Sequence, residues 1–185
     1  MEVNEKIIER VKMNDRKVIL CLYDSTYSLL MSVAVRYHNQ REEQMEIVNS
    51  TFMKVIDKID QYEVGTNFYA WVKRIAHHTV IDYFRSNKRY KEMFSNQIDD
   101  EEYYLEPSTK DEHQFSQEEH IELVLSHLPP ATRVSFNLFA IDGYSYKEIA
   151  KALDVGYETV KWHVKEARKR LKNILKEDTL EFERK

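Results

Sequence analysis

Between Gly143 and Leu171 the chain reads GYSYKEIAKALDVGYETVKWHVKEARKRL, two apolar stripes at helical spacing with only Asp154-Val155-Gly156 between them. Ile149, Ala150 and Leu153 share one face of the first stripe, while Lys147, Glu148 and Lys151 fall on the other. Val160, Val164, Ala167 and Leu171 make the buried stripe of the second. Gly156 is expected to supply the backbone freedom of the turn, with Val155 tucked beneath the pair. Thr159, Lys161, Trp162, His163, Glu166 and Lys169 then face solvent, and Lys165, Arg168, Arg170 and Lys172 extend the positive charge. A basic helix braced by a shorter one is the geometry that sets side chains in a DNA major groove. The competing reading is a solvated amphipathic pair in an ordinary bundle.

Turn residues are scarce elsewhere too. The 185 residues include 3 Gly and 3 Pro, against 32% charged residues, which favours helix over strand. The net charge of −4 excludes a chain that is basic throughout. Charge is segregated instead, and local fields govern the binding of a polyanion. Lys73, Arg74, Arg85, Lys88, Arg89 and Lys91 form one basic block, Lys161 to Lys172 another, and Asp99 to Glu119 an acidic stretch between them. The single Cys21 excludes an intrachain disulfide and a cysteine-rich zinc site. Set among Ile19, Leu20 and Leu22, it is expected to be buried. No apolar run approaches the roughly 20 residues of a membrane-spanning helix, and the charged N-terminus does not read as a signal peptide. Cytoplasmic location is the expectation.

The fold class expected is all-α: two small helical domains joined by an acidic flexible linker. In residues 1–91, helix is expected over 5–38, split at Asn14-Asp15, then over 41–60, then from Phe68 to about Arg89 beyond a loop at Glu63 to Thr66. Three long amphipathic helices make a bundle. Residues 92–116 have no sustained period and read as the linker. Residues 117–176 read as four helices ending in the helix-turn-helix, with Pro129-Pro130 as a break, Val134, Leu138 and Ile141 turned inward, and Gly143 as a C-terminal cap. Residues 177–185 are a tail.

The segment NFYAWVKRIAHHTVIDYFRSNKRYK interleaves aromatics with cations. Aromatic faces stack on unpaired bases and cations neutralise phosphates, a combination suited to single-stranded nucleic acid. The alternative is that Phe68, Trp71 and Tyr83 are core and the cations merely solvated. Spacing puts Phe68, Val72, Ile75 and Tyr83 inside and leaves Trp71, Arg74, His78 and Asp82 on a flanking face.

These residues also carry a resemblance. FYAWVKRIAHHTVIDYFR resembles the F-x-x-W-L-x-x-I-A-R-N-x-x-I-D-x-x-R signature of bacterial sigma-70-type factors, as found in the small extracytoplasmic-function (ECF) group. EEQMEIVNSTFMKV is similar to that family's D-A-E-D-I-V-Q-E-x-F-L-K-V. The stretch from Leu125 to Leu175 resembles its L-x-x-L-P…E-G-x-S-x-x-E-I-A…T-V-K pattern. The three motifs occur in order and cover nearly the whole chain apart from the ends and the linker.

The resemblance implies an initiation subunit of RNA polymerase with no catalytic residues, no metal and no cofactor. Its N-terminal domain would hold the polymerase clamp and melt the minus-ten element; its C-terminal domain would read the minus-thirty-five element as duplex. Carried over by position, Glu46, Asn49, Phe52 and Met53 would meet the clamp of the largest subunit, and the C-terminal domain the flap of the second. Tyr62 to Asn67 match the loop that captures an unstacked base. Asn67, Trp71, Arg74, His77, His78, Asp82 and Arg85 would serve the minus-ten element, and Thr159, Lys161, Trp162, His163, Lys165 and Arg168 the minus-thirty-five element. Implied partners are core RNA polymerase, promoter DNA as duplex and as non-template single strand, and an anti-sigma factor. The chain departs from the pattern at Glu46, Asn49, Ser50, His78, Gly156 and His163, where the family has Asp, Gln, Glu, Asn, Ser and Arg.

Two other classes compete. His77, His78 and Asp82 suggest a helical metal hydrolase, but such sites want an adjacent His-Asp pair and no His here precedes Asp. A helix-turn-helix regulator that does not replace the polymerase sigma subunit explains the C-terminal half equally well, and gives no reason for the basic-aromatic segment.

Overall fold

The computed structural model describes residues 3–95 and 117–182, and every regular element among them is helical. The linker expected at 92–116 falls outside the described residues except for its first four, as does the end of the tail. The chain divides into two compact units, Met1–Tyr83 and Phe84–Lys185.

The first unit opens with α1 (Glu5–Lys12) and α2 (Arg16–Ala34), separated where expected. Asn14 adopts φ +57, and Asp15 then caps α2 by accepting from the Lys17 and Val18 N–H groups. The Arg10 guanidinium bonds the same carboxylate at 2.7 Å and, with those N–H groups, holds its pKa below the usual value. α3 (Arg41–Asp57) packs along α2 and ends in a single 3-10 turn, Ile59–Gln61, against which α1 also packs. Leu22, Leu30, Val33, Ile47, Val48 and Val55 are fully buried, the pattern two amphipathic helices produce when their stripes meet. Cys21 is exposed, not buried as expected. It follows the solvent-facing Leu20, and the inward position of that turn is taken by Leu22. α4 (Phe68–Ser86) comes after the 62–67 loop, and the boundary between the units falls within it.

The second unit begins with the end of α4. The helix expected to run to about Arg89 stops at Ser86, and α5 (Lys88–Ser95) starts two residues later, taking in the first residues assigned to the linker. The break lets Tyr90 fold its ring against Phe84, centroids 4.6 Å apart and nearly perpendicular. α6 (Gln117–Ser126), α7 (Pro130–Phe136), α8 (Tyr146–Leu153) and α9 (Tyr157–Phe182) complete the unit. Arg133 is buried and its guanidinium donates to the Ser126 and Leu128 carbonyls, satisfying the end of α6. Leu125, Leu128 and Ala167 form the seam between α6 and α9, with Phe136 and Leu171 packed on it.

α7 continues into a π-helical turn, Asn137–Ile141. One extra residue in a turn rotates the next stretch of chain by about 100°. That is why Ile141, expected inside with Val134 and Leu138, is 43% exposed while those two are buried. Gly143 does end the run, at φ +80, and the Tyr144 N–H reaches back to the Leu138 carbonyl.

Candidate nucleic-acid interface

In the first unit the 62–67 loop is held by its own hydrogen bonds. The buried Tyr62 hydroxyl donates to the Thr66 carbonyl at 2.5 Å, and the Thr66 hydroxyl and N–H both donate to the Glu63 carbonyl. Gly65 takes φ +90, a backbone region that favours glycine. Asn67 closes the loop and starts α4, its side-chain oxygen accepting from the Ala70 N–H at 3.0 Å. Glu63 to Asn67 are all exposed. Beneath them Tyr62 lies edge-on to Phe68 at 5.2 Å and tilted against Trp71 at 5.5 Å. Phe68 is core and Trp71 is half-buried, so the aromatics divide between support and surface.

Along α4, Arg74 and His78 are exposed, His77 is half-buried, and Asp82 is half-exposed with its carboxylate 3.1 Å from the Lys54 ammonium of α3. An ion pair this exposed contributes about 0–1 kcal/mol. Arg85, exposed, belongs to the second unit. On α3, Glu46 and Asn49 are exposed and Met53 is 58% exposed, while Tyr23 donates to the Asn49 side-chain oxygen. Phe52, placed with them by the sequence, is buried against Tyr23, the rings 5.0 Å apart and edge-on. Its role is to support that face from below.

In the second unit the helix pair forms as expected, with Ile149 and Leu153 of α8 buried against Val160, Val164 and Ala167 of α9. The turn differs in detail. Asp154, not Gly156, takes the left-handed conformation at φ +58, and Gly156 precedes α9 as an ordinary residue. Ser145 caps α8 in a reciprocal box: it accepts from the Glu148 N–H, and Glu148 accepts from the Ser145 N–H. These bonds from Ser145 lower the Glu148 pKa. The Ser-x-x-Glu spacing is a capping signal visible in the sequence itself.

Lys161, Lys165, Arg168 and Lys172 are exposed and fall at i, i+4, i+7 and i+11, one face of α9. Thr159 and Trp162 are half-buried on its flank. His163 departs from the expectation. It is 4% exposed, not solvent-facing. Its Nδ1 lies 3.0 Å from the Thr132 hydroxyl of α7, and Phe94 of α5 meets the ring edge-on at 5.3 Å. Burial pushes its pKa down to about 4, so the imidazole is neutral near pH 7. It cannot be the cation that the family's arginine would supply. A helical wheel sets residue 163 beside the core stripe, and only α5 and α7, distant in sequence, decide that it is covered.

Among the described residues no group of three or more His, Cys, Asp or Glu is arranged to hold a metal, and no helix is long and apolar enough to cross a membrane.

Residues 22–90 match the family model for sigma-70 region 2, and residues 118–171 match that for sigma-70 region 4. The chain is a sigma factor of the sigma-70 type, in the ECF group. It is similar to the ECF RNA polymerase sigma-E factor of Haemophilus influenzae, 25% identical over 178 residues that cover 92% of this chain and 94% of that protein. It is likewise similar to the sigma-E factor of Escherichia coli strain K12, 26% identical over 92% of this chain and 93% of that one. A solved structure of the sigma factor RpoE with the anti-sigma factor NepR from Bartonella quintana aligns with a TM-score of 0.47 at 23% identity, covering 88% of this chain and 97% of that one. As a sigma factor the chain directs promoter-specific initiation, and the stand-alone regulator is not favoured because region 2 occupies its N-terminal half.

Proposed function

We propose that the sigma factor divides its work between its two ends. Residues 1–91 act as region 2, engaging the polymerase clamp through Glu46, Asn49 and Met53 on the face that Phe52 supports. The 62–67 loop and the flanking face of α4, with Asn67, Trp71, Arg74, His77, His78, Asp82 and Arg85, serve the minus-ten element as it melts. Unstacking a base costs a few kcal/mol. A loop already held by Tyr62 and Thr66, beside a half-exposed Trp71, offsets part of that cost because it need not be ordered first. Residues 117–176 act as region 4: Thr159, Lys161, Trp162, Lys165 and Arg168 meet the minus-thirty-five duplex, with His163 holding α9 in place from inside. Residues 92–116 tether the two readers.

The observation that carries this reading is the continuous cationic face of α9, Lys161, Lys165, Arg168 and Lys172, on a helix whose opposite face is core. Its partners are core RNA polymerase, at the clamp and at the flap of the second subunit, and promoter DNA. The relative that aligns in complex with an anti-sigma factor motivates a search for one here. Such a protein works in the cytoplasm, where the polymerase is, and catalyses nothing itself. Run-off transcription with core RNA polymerase over a library of upstream sequences tests it. The expected result is promoter-specific transcript that depends on the added chain. Transcription from no member of the library contradicts it.

A further inference from the structure

The second unit holds a ladder of rings that no sequence motif marks. The Arg168 guanidinium sits over the Phe139 ring, 5.2 Å from its centroid. Phe139 stacks on Tyr146, centroids 4.5 Å apart and planes within 12°. Tyr146 in turn meets Tyr157 edge-on at 6.1 Å. Tyr157 and Arg168 both stand on α9, about 16 Å apart along its axis, so both ends of the ladder rest on one helix. The ladder therefore runs beside the helix from its first turn to the cationic stripe.

Phe139 lies within the π-helical turn, marked by the Asp142 N–H bonding the Asn137 carbonyl five residues back. Such turns re-aim side chains and recur at functional sites. Here the wider turn gives Phe139 the position in which it stacks on Tyr146. Several cations of α9 are held by carboxylates, and Arg168 is held by a ring instead. Lys161 pairs with Glu158 at 3.5 Å, and Glu166 takes Arg170 at 2.9 Å and Lys169 at 3.9 Å. Arg168 rests on an uncharged ring, with no carboxylate among the described residues competing for its N–H groups. An arginine held on a ring also keeps its in-plane N–H groups for an acceptor, and phosphate is the acceptor that suits their fork.

On the reading of this unit as a duplex reader, we propose that Phe139, supported by Tyr146, is a positioning residue that presets Arg168 as a ligand for a DNA backbone phosphate. Much of the freedom the arginine would lose on binding is then lost beforehand. The contact is to the backbone, so it adds affinity at any sequence and orients α9 for the residues that read bases.

The test uses holoenzyme assembled from the full chain and core polymerase, with a duplex carrying the upstream element that this holoenzyme selects from a random library. Affinity is measured against KCl concentration. Arg168→Gln is expected to shrink the slope of log K against log salt by about 1. Phe139→Leu is expected to do nearly the same, Phe139→Tyr to restore both affinity and slope, and Phe139→Leu to add nothing in an Arg168→Gln background. If Phe139→Leu lowers the melting temperature but leaves affinity and slope unchanged, the ring only packs and the proposal is overturned. An unchanged slope for Arg168→Gln also overturns it; should Lys161→Ala still shrink the slope, the duplex reader survives that failure. Selection of no sequence by the holoenzyme removes the duplex reader itself, and the brace with it.

Discussion

α4 and α9 both interleave aromatic residues with cations, yet they arrange the mixture differently. On α4 the rings of Phe68 and Trp71 lie at the helix start beside a preformed loop, and the cations along the exposed face are not arranged as one stripe. On α9 the cations form the stripe, and the rings of Phe139, Tyr146 and Tyr157 lie beside it, on the π turn, on α8 and in the first turn of α9. The first arrangement offers ring surface near loop backbone, which suits a base that has left its stack. The second offers charge along a rigid rod, which suits the regular phosphates of a duplex. Composition alone does not separate these uses; the placement of the rings does.

The sharpest way to break the comparison is to remove the ring that supports the loop. Phe68→Ala should destabilise the protein by about 3–5 kcal/mol, as deletion of a buried aromatic does, read from urea unfolding. Wild-type stability would mean the loop is not built on that ring. Trp71→Ala should instead leave the fold largely intact while weakening capture of single-stranded minus-ten DNA by about 1–3 kcal/mol, read by permanganate reactivity of the melted strand. Normal melting in that variant would remove Trp71 from the proposed site.

The second unit carries a pH signature at His163. His163 is neutral when folded, with a pKa of about 4 against 6.5 unfolded. The unfolded chain therefore binds more protons between those values, and stability falls as pH drops through that window. The full loss approaches about 3 kcal/mol at 1.4 kcal/mol per pH unit. Urea midpoints at pH 7 and pH 5 should differ, and His163→Leu should flatten that difference. An undiminished pH slope in the variant would mean another group is responsible.

Next in size come the duplex contacts. Lys161→Ala and Lys165→Ala should each shrink the salt slope of duplex binding by about 0.9 and weaken all sequences alike. A loss confined to one sequence would make them base readers. The smallest effect is at Gly156. Serine there would supply a capping oxygen worth a few tenths of a kcal/mol, but its Cβ would lie 3.1 Å from the Thr159 hydroxyl. A stability change below about 0.5 kcal/mol is expected in thermal melts. A larger loss would show that Thr159 cannot yield.

What the sequence made legible came from local periodicity. The stripe Val160, Val164, Ala167 and Leu171, the split at Asn14-Asp15 and the stop at Gly143 all depend on neighbours a few residues away, and all formed. What it concealed depends on distant contacts or a shifted phase. His163 is covered by Thr132 and Phe94, which no helical wheel of α9 contains. Ile141 turned outward because a π turn intervened, and Asp154 took the left-handed backbone that glycine was expected to take. The same limit applies to the site. The cationic stripe of α9 was legible, whereas the Phe139–Tyr146 ladder joins two elements and has no signature in either.

The most direct measurement of the division of labour uses templates in which the minus-ten region is already open. Holoenzymes carrying Trp71→Ala, or Lys161→Ala with Lys165→Ala, would be compared on a closed promoter and on the same promoter with a pre-melted bubble. The bubble is expected to restore transcription to the Trp71 variant and to leave the lysine variant impaired at moderate salt. Equal rescue of both, or of neither, would contradict an N-terminal unit that opens DNA beside a C-terminal unit that reads it closed.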